Sequence, residues 1–320
     1  SFPTRRSSDL TMPSPPGSFK AYIAQVNDSS LQNLAFFVYQ PEGDVELYKS
    51  SADPDLTNGH PCYSLDGAKY GIFSGNTQIA TLTTDANGYA KIEGIEAGNY
   101  TLRELSASPG FAVDGNSYPF TVEPGGTATL RVSEQPTNDP MAITLAKIDQ
   151  DSGNTTTQGT ASLEGAEFTV KYYDGYYTKD NLPANATRTW VIQTKAVKNS
   201  SGKVEYRTML SDAYKVSGDD FYYTNGNPNP TLPLGTVSIE ETKAPTGYLL
   251  EGAYFTPAGS SDKITGKYVA QVTQDGNLAR LNGGNEYSVS DKVVRGDLEF
   301  SKKDAETSEP MANIPFKITS

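Results

Sequence analysis

The chain has 320 residues, 36% of them apolar, enough for two domains of ordinary size plus fragments, each with its own core. Its net charge of −12 repels phosphate backbones and anionic headgroups, which argues against nucleic acid as a partner. A single cysteine, Cys62, makes no intrachain disulfide, and together with the single histidine, His60, it falls short of a tetrahedral zinc site, so neither a metal nor another cofactor is indicated.

The 20 Tyr, 29 Gly and 20 Pro, set among many Thr and Ser, favour short strands and tight turns over helices and predict a nearly all-β chain. Residues 1–16 open with the basic, polar SFPTRRSSDL and are read as a disordered or artefactual tail that contributes no packing. Residues 17–43 hold strand-like SFKAYIAQV and LAFFVY around an NDSS turn and read as the end of a preceding β-domain. The longest apolar run, Leu34 to Tyr39, is far short of a membrane span, and no signal-peptide order is present.

One segment type then occurs three times: VELYKSSADPD from Val45, ITLAKIDQDSG from Ile143 and LEFSKKDAETS from Leu298. Each opens a unit, which divides the chain into domain 1 (44–139), domain 2 (140–295) and the start of domain 3 (296–320). The third unit is interrupted at Ser320, so the chain is expected to be a piece of a longer product whose export and anchoring signals lie outside it.

A strand alternates faces, so Lys49 points with Val45 and Leu47, Lys147 with Ile143 and Leu145, and Lys302 with Leu298 and Phe300. A second strand follows in each unit, with Ala68, Tyr70 and Ile72, then Ala166, Phe168 and Val170, then Ile314, Phe316 and Ile318 inward. The lysine-to-alanine spacing is nineteen positions in both complete units.

Further along, YTLRELSASPGF (Tyr100–Phe111) matches VSIEETKAPTGY (Val237–Tyr248), and parity sends Glu104 and Glu241 inward while Arg103 and Glu240 face out. The last strands, ATLRVSEQP and NEYSVSDKV, put Glu134 on the face of Leu130 and Val132, and Asp291 on the face of Tyr287 and Val289. TDANG (Thr84–Gly88), EAGN (Glu96–Asn99) and PGG (Pro124–Gly126) are predicted as hairpin turns. Domain 2 is longer by a Tyr-rich insertion at about 172–233, expected to add hairpins at an edge.

Burying an isolated lysine, glutamate or aspartate costs several kcal/mol. Two explanations are open. Either these charges are solvated at a sandwich rim, or desolvation drives the amine and acids toward their neutral forms, in which lysine is a nucleophile, glutamate an acid/base and aspartate an acceptor.

The lysine strand, the L-x-G-A-x-F second strand, the E-x-x-A-P-x-G-Y box and the final strand resemble Cna B-type (SpaA-like, prealbumin-like) domains of Gram-positive surface adhesins and sortase-assembled pilins, over nearly everything from Asp44 to Ser320. The resemblance implies an Ig-like or prealbumin-like sandwich, a cell-wall-attached extracellular stalk, adjacent domains of the same surface protein as partners, and autocatalytic isopeptide bonds rather than an enzyme. It places Lys147, Glu241 and Asp291 on the matching positions of domain 2. In domain 1 Lys49 and Glu104 match, but Glu134 stands at the acceptor and its extra methylene weighs against a bond; Lys302 has its partners beyond Ser320.

Four other features each carry two readings. His60 two residues from Cys62 lacks an orienting third group, so a loop or core cysteine is expected. DQDSGNT (Asp149–Thr155) lacks the glycine and glutamate of a calcium loop and reads as a solvated turn. RGD at Arg295–Asp297 reads as a chance tripeptide, against display of an adhesion ligand. The tyrosines Tyr172, Tyr173, Tyr176, Tyr177, Tyr222 and Tyr223 offer either a satellite core or an aromatic surface for a host protein or glycan, the alternative function.

Overall fold

The computed structural model describes residues 20–25, 34–39, 41–139, 144–257, 259–273, 287–296 and 299–317. Two compact units divide the chain between Thr137 and Asn138.

Unit 1 contains an antiparallel pair, β1 (Lys20–Gln25) and β2 (Leu34–Tyr39), followed by β3 (Glu42–Ser51), a single-turn helix α1 (Pro54–Thr57), β4 (Lys69–Ser74), β5 (Thr77–Thr83), β6 (Tyr89–Glu96), β7 (Gly98–Ser106), β8 (Ser117–Val122) and β9 (Thr127–Glu134). Two sheets form from them, in the orders β6-β3-β9 and β5-β4-β7-β8. The period-two pattern explains the packing: Val45, Leu47, Tyr70, Ile72, Leu82, Leu102, Val122 and Val132 meet in one apolar core, and the residues between them on β3 and β9 lie toward solvent.

Unit 2 contains β10 (Asn138–Asp139), β11 (Thr144–Asp149), β12 (Glu167–Tyr173), β13 (Arg188–Gln193), β14 (Lys195–Lys198), β15 (Val204–Met209), β16 (Lys215–Gly218), β17 (Leu232–Pro233), β18 (Gly235–Lys243), β19 (Tyr248–Thr256), β20 (Ile264–Thr265), β21 (Tyr268–Val272) and β22 (Tyr287–Val293). Its two large sheets run β14-β15-β11-β22-β19-β20 and β16-β13-β12-β18-β21, with β10 and β17 as a short separate pair. The run β15-β11-β22 repeats β6-β3-β9, and β13-β12-β18-β21 repeats β5-β4-β7-β8. The first and last strands of each two-sheet sandwich are parallel neighbours, β3 with β9 and β11 with β22.

Several expectations change. TDANG, EAGN and PGG each connect strands of opposite sheets (β5 to β6, β6 to β7, β8 to β9), so they are corners of the sandwich and not hairpins. Turn chemistry specifies a reversal, and which sheet receives the next strand is decided by the core. The tight hairpin is β4–β5, closed at Gly75–Asn76. Segment 172–233 is only partly surplus: β13 and β15 take the places of β5 and β6, leaving β14, β16, β17 and their loops as additions. Asn138 and Asp139 pair with Pro233 and Leu232 and so belong with unit 2.

Residues 299–317 form no strand among those described, only a bridge between Lys303 and Pro310. Phe300 and Phe316 touch at 4.4 Å between ring centroids yet are about half exposed, and Ile314 is exposed as well, contrary to the inward positions expected of them. Two short segments have too little apolar surface between them to bury these side chains. Ile143, Leu298 and Ile318, the NDSS turn and the side chain of Tyr287 lie outside the described residues.

Candidate functional site

In unit 2, Lys147 and Asp291 sit on neighbouring parallel strands, Lys147 opposite Val289 and Asp149 opposite Asp291. Glu241 comes from β18 in the facing sheet, opposite Phe168 of β12. All three side chains project into the sandwich, where Lys147 and Asp291 are fully buried and Glu241 is 7% exposed. Lys147 Nζ donates to Glu241 Oε2 at 2.5 Å and to Asp291 Oδ1. It stands 5.6 Å from the centre of the Phe168 ring, which itself packs edge-on against Phe255.

The sequence left a solvated rim as one explanation of these charges, and the burial removes it for this geometry. Burial, reinforced by the Asp291 charge and only partly offset by Lys147, pushes the Glu241 carboxyl up to about 8; burial likewise raises Asp291. Glu241 Oε1 and Asp291 Oδ2 are buried and receive no donor from the remaining described residues. The two carboxyls lie within reach of each other, so a proton on one of them is the donor available to this pair.

Unit 1 assembles the same set from Lys49 on β3, Glu104 on β7 and Glu134 on β9, with 3%, 7% and 2% exposure. The register is the same too: Lys49 is opposite Val132 and Ser51 opposite Glu134. Lys49 Nζ contacts Glu134 Oε2 and is 3.4 Å from Glu104 Oε1, with the Phe111 ring centre 4.9 Å away. Burial raises Glu104, against the Asp114 N–H that donates to its Oε2. Gly88 explains how the turn before β6 accommodates Lys49. Its φ of +74° suits glycine, and a Cβ there would come within 2.2 Å of the Lys49 carbonyl oxygen, whose own N–H donates to Gly88.

Lys302 is exposed and has none of this surrounding. Two groups have roles that differ from their reading in the sequence. Asp149, expected to open a solvated turn, lies on the face of Leu145 and Lys147, is fully buried and accepts from the N–H groups of Asp151 and Ser152, from Gln158 Nε2 and from the Tyr248 hydroxyl. Burial pushes its carboxyl up, but these donors outweigh it and hold the group below the ordinary range. Strand parity alone pointed to it. The second is Tyr70, whose hydroxyl donates to Glu134 Oε1; in the sequence it reads as a core aromatic equivalent to Phe168.

The remaining motifs separate from these clusters. His60 Nδ1 accepts the Cys62 backbone N–H at 3.2 Å. No group of three or more metal-ligating side chains occurs among the described residues. Arg295 of the RGD tripeptide is tied to Asp151 and Gln158, and Asp297 lies outside the described residues. Of the insertion tyrosines, Tyr172 and Tyr173 are buried, Tyr222 packs on Tyr172 and Trp190, Tyr177 packs on Tyr173, and Tyr176 and Tyr223 are exposed. Most of the set therefore builds a satellite core.

Against known proteins, residues 23–136 match the family model described as a SpaA prealbumin-like fold domain. This segment is a SpaA-type prealbumin-like domain. The match begins inside the 17–43 segment and covers the Lys49, Glu104 and Glu134 cluster of unit 1; by its repeated sheet order, unit 2 is a second prealbumin-like sandwich. Among solved structures, the chain is similar to the Bacillus anthracis TIE protein (17% identity, TM-score 0.45, 86% of this chain and 41% of that one). It is also similar to the C-terminal fragment of the pilus adhesin SpaC from Lactobacillus rhamnosus GG (15%, 0.42, 80% and 99%) and to a streptococcal ancillary pilin (15%, 0.28, 90% and 74%). The chain spans about two fifths of the TIE protein's length. These are remote likenesses, and the family match is confined to residues 23–136. No curated protein matches the sequence. No helix among the described residues is long and apolar enough to cross a membrane.

Proposed function

We propose that the chain is a structural stalk segment of an extracellular, cell-wall-attached bacterial adhesin or pilin, and that unit 2 locks itself with an amide between Lys147 and Asp291. The observation that supports this most is the burial of one amine and two acids in mutual contact, on the first strand, the last strand and the facing sheet. Its partners are adjacent domains of the same surface protein, and it acts on no external substrate.

The chemistry follows from the protonation states. With Glu241 protonated at neutral pH, the Lys147 ammonium passes a proton to the Asp291 carboxylate, giving a neutral amine beside a neutral acid. Glu241 then polarises the Asp291 C=O, and Nζ attacks Cγ. The proton released by the amine travels through Glu241 to the departing hydroxyl, so that one C–N bond forms, one C–O bond breaks and one water leaves. The fold supplies proximity: groups 144 positions apart are held in contact at an effective concentration that solution does not reach. The bond joins the first large strand of the unit to its last, so tension entering at one end passes through it without unzipping the sheet.

The test is proteolysis of the purified chain followed by tandem mass spectrometry. A branched peptide joining residues 147 and 291 is expected. Recovery of the two peptides separately, each at full mass, would refute the crosslink.

A further inference from the structure

The two clusters share a register and differ in two coupled residues. Phe168 and Tyr70 occupy the same place, each opposite the inward glutamate of the neighbouring strand, Phe168 with Glu241 and Tyr70 with Glu104. Asp291 and Glu134 likewise share the acceptor place. The longer Glu134 side chain brings its carboxylate to the Tyr70 hydroxyl, which donates to Oε1, while Lys49 donates to Oε2. Glu104 is occupied as well, by the Asp114 N–H at Oε2 and by Lys49 at Oε1. All four carboxylate oxygens of the unit 1 cluster therefore face donors, whereas in unit 2 one oxygen of each acid, Glu241 Oε1 and Asp291 Oδ2, has none among the described residues beyond a proton on its neighbour.

We propose that the Tyr70–Glu134 pair keeps the unit 1 cluster as an ionic clasp, whereas the Phe168–Asp291 pair commits unit 2 to condensation. Two donors on one carboxylate stabilise the anion against the neutral acid that amide formation requires. Condensation also needs a hydroxyl to leave, and the Tyr70 hydrogen bond strengthens the form in which no hydroxyl exists. Where no such donor is present, the buried orphan oxygens of unit 2 are relieved by sharing a proton, which is the reactive arrangement. Unit 1 thus holds β3 to β9 by a contact that reopens and re-forms, next in sequence to a unit held by a permanent bond. This rests on unit 2 condensing as proposed above.

The experiment is a count of lost waters, with the linked residues mapped, on the full chain and two paired swaps. The wild type should lose one water, mapped to residues 147 and 291. Tyr70→Phe with Glu134→Asp should lose a second, mapped to 49 and 134; Phe168→Tyr with Asp291→Glu should lose none. A wild-type chain linked at both sites overturns the ionic clasp while leaving the unit 2 crosslink standing, and no loss at 147 and 291 overturns the crosslink itself. If a swapped chain folds but its count stays at the wild-type value, the Tyr70–Glu134 pair is not the determinant. Even if both swapped chains fail to fold, the wild-type map decides whether unit 1 is an ionic clasp or a crosslink.

Discussion

Replacing Glu241 with Gln keeps the shape of the side chain and removes the proton on which the chemistry depends, so the variant should fold as a sandwich without its crosslink. The lost bond closes a loop of 144 positions. With the loop-entropy treatment used for disulfides, such a closure stabilises by about 5 kcal/mol. The sandwich of unit 2, from Asn138 to about Arg295, spans roughly 160 residues, and at about 2.1 cal/mol/K per residue its unfolding entropy is about 0.3 kcal/mol/K. The unit 2 transition should therefore fall by about 15 °C in differential scanning calorimetry, with mass spectrometry confirming that the variant is uncrosslinked. A Gln variant that retains the full water loss would show that Glu241 is not the proton donor. An uncrosslinked variant melting within about 3 °C of the wild type would show that the bond does not constrain the unfolded chain as this treatment requires.

The rate of condensation, followed by mass after diluting unfolded chain into folding buffer, should hold up to about pH 8 and fall about tenfold per unit above it, because deprotonating Glu241 removes the acid; a rate still rising at pH 10 would contradict this. Asp149→Ala strands the buried Tyr248 hydroxyl and the turn amides, and should cost about 1–3 kcal/mol in urea unfolding. In the wild type the Asp149 carboxyl is held below its ordinary value of 3.8, so its stabilisation is complete above that pH and is lost as the pH falls further, a decline that the Ala variant should lack in acid titrations. Gly88→Ala places a Cβ against the Lys49 carbonyl at positive φ and should destabilise unit 1 by at least about 1 kcal/mol, leaving the unit 2 transition in place.

Strand parity made much of the architecture and both clusters legible, because a two-residue period forces Lys49 and Lys147 to share the direction of Val45, Leu47 and Leu145 whatever their charge. The facing glutamates and the acceptors followed from the same periodicity in two further strands. Parity does not report which strands face one another, so in sequence the three corner turns look like hairpins, and β13 and β15 look like surplus. Nor does it distinguish Tyr70 from Phe168: both are large core aromatics in sequence, and the hydroxyl acquires a role only when Glu134 arrives from the other sheet. Asp149 was hidden by its turn-like neighbours, since a carboxylate satisfied by its own turn reads the same whether buried or solvated. The third lysine segment has the pattern of the other two, but with no core assembled over it the pattern leaves Lys302, Phe300 and Phe316 facing solvent.

The most direct measurement is the intact mass of the purified, folded chain under denaturing conditions. The Lys147–Asp291 bond predicts a mass lower than that of the sequence by one water. A mass equal to that of the sequence would contradict it.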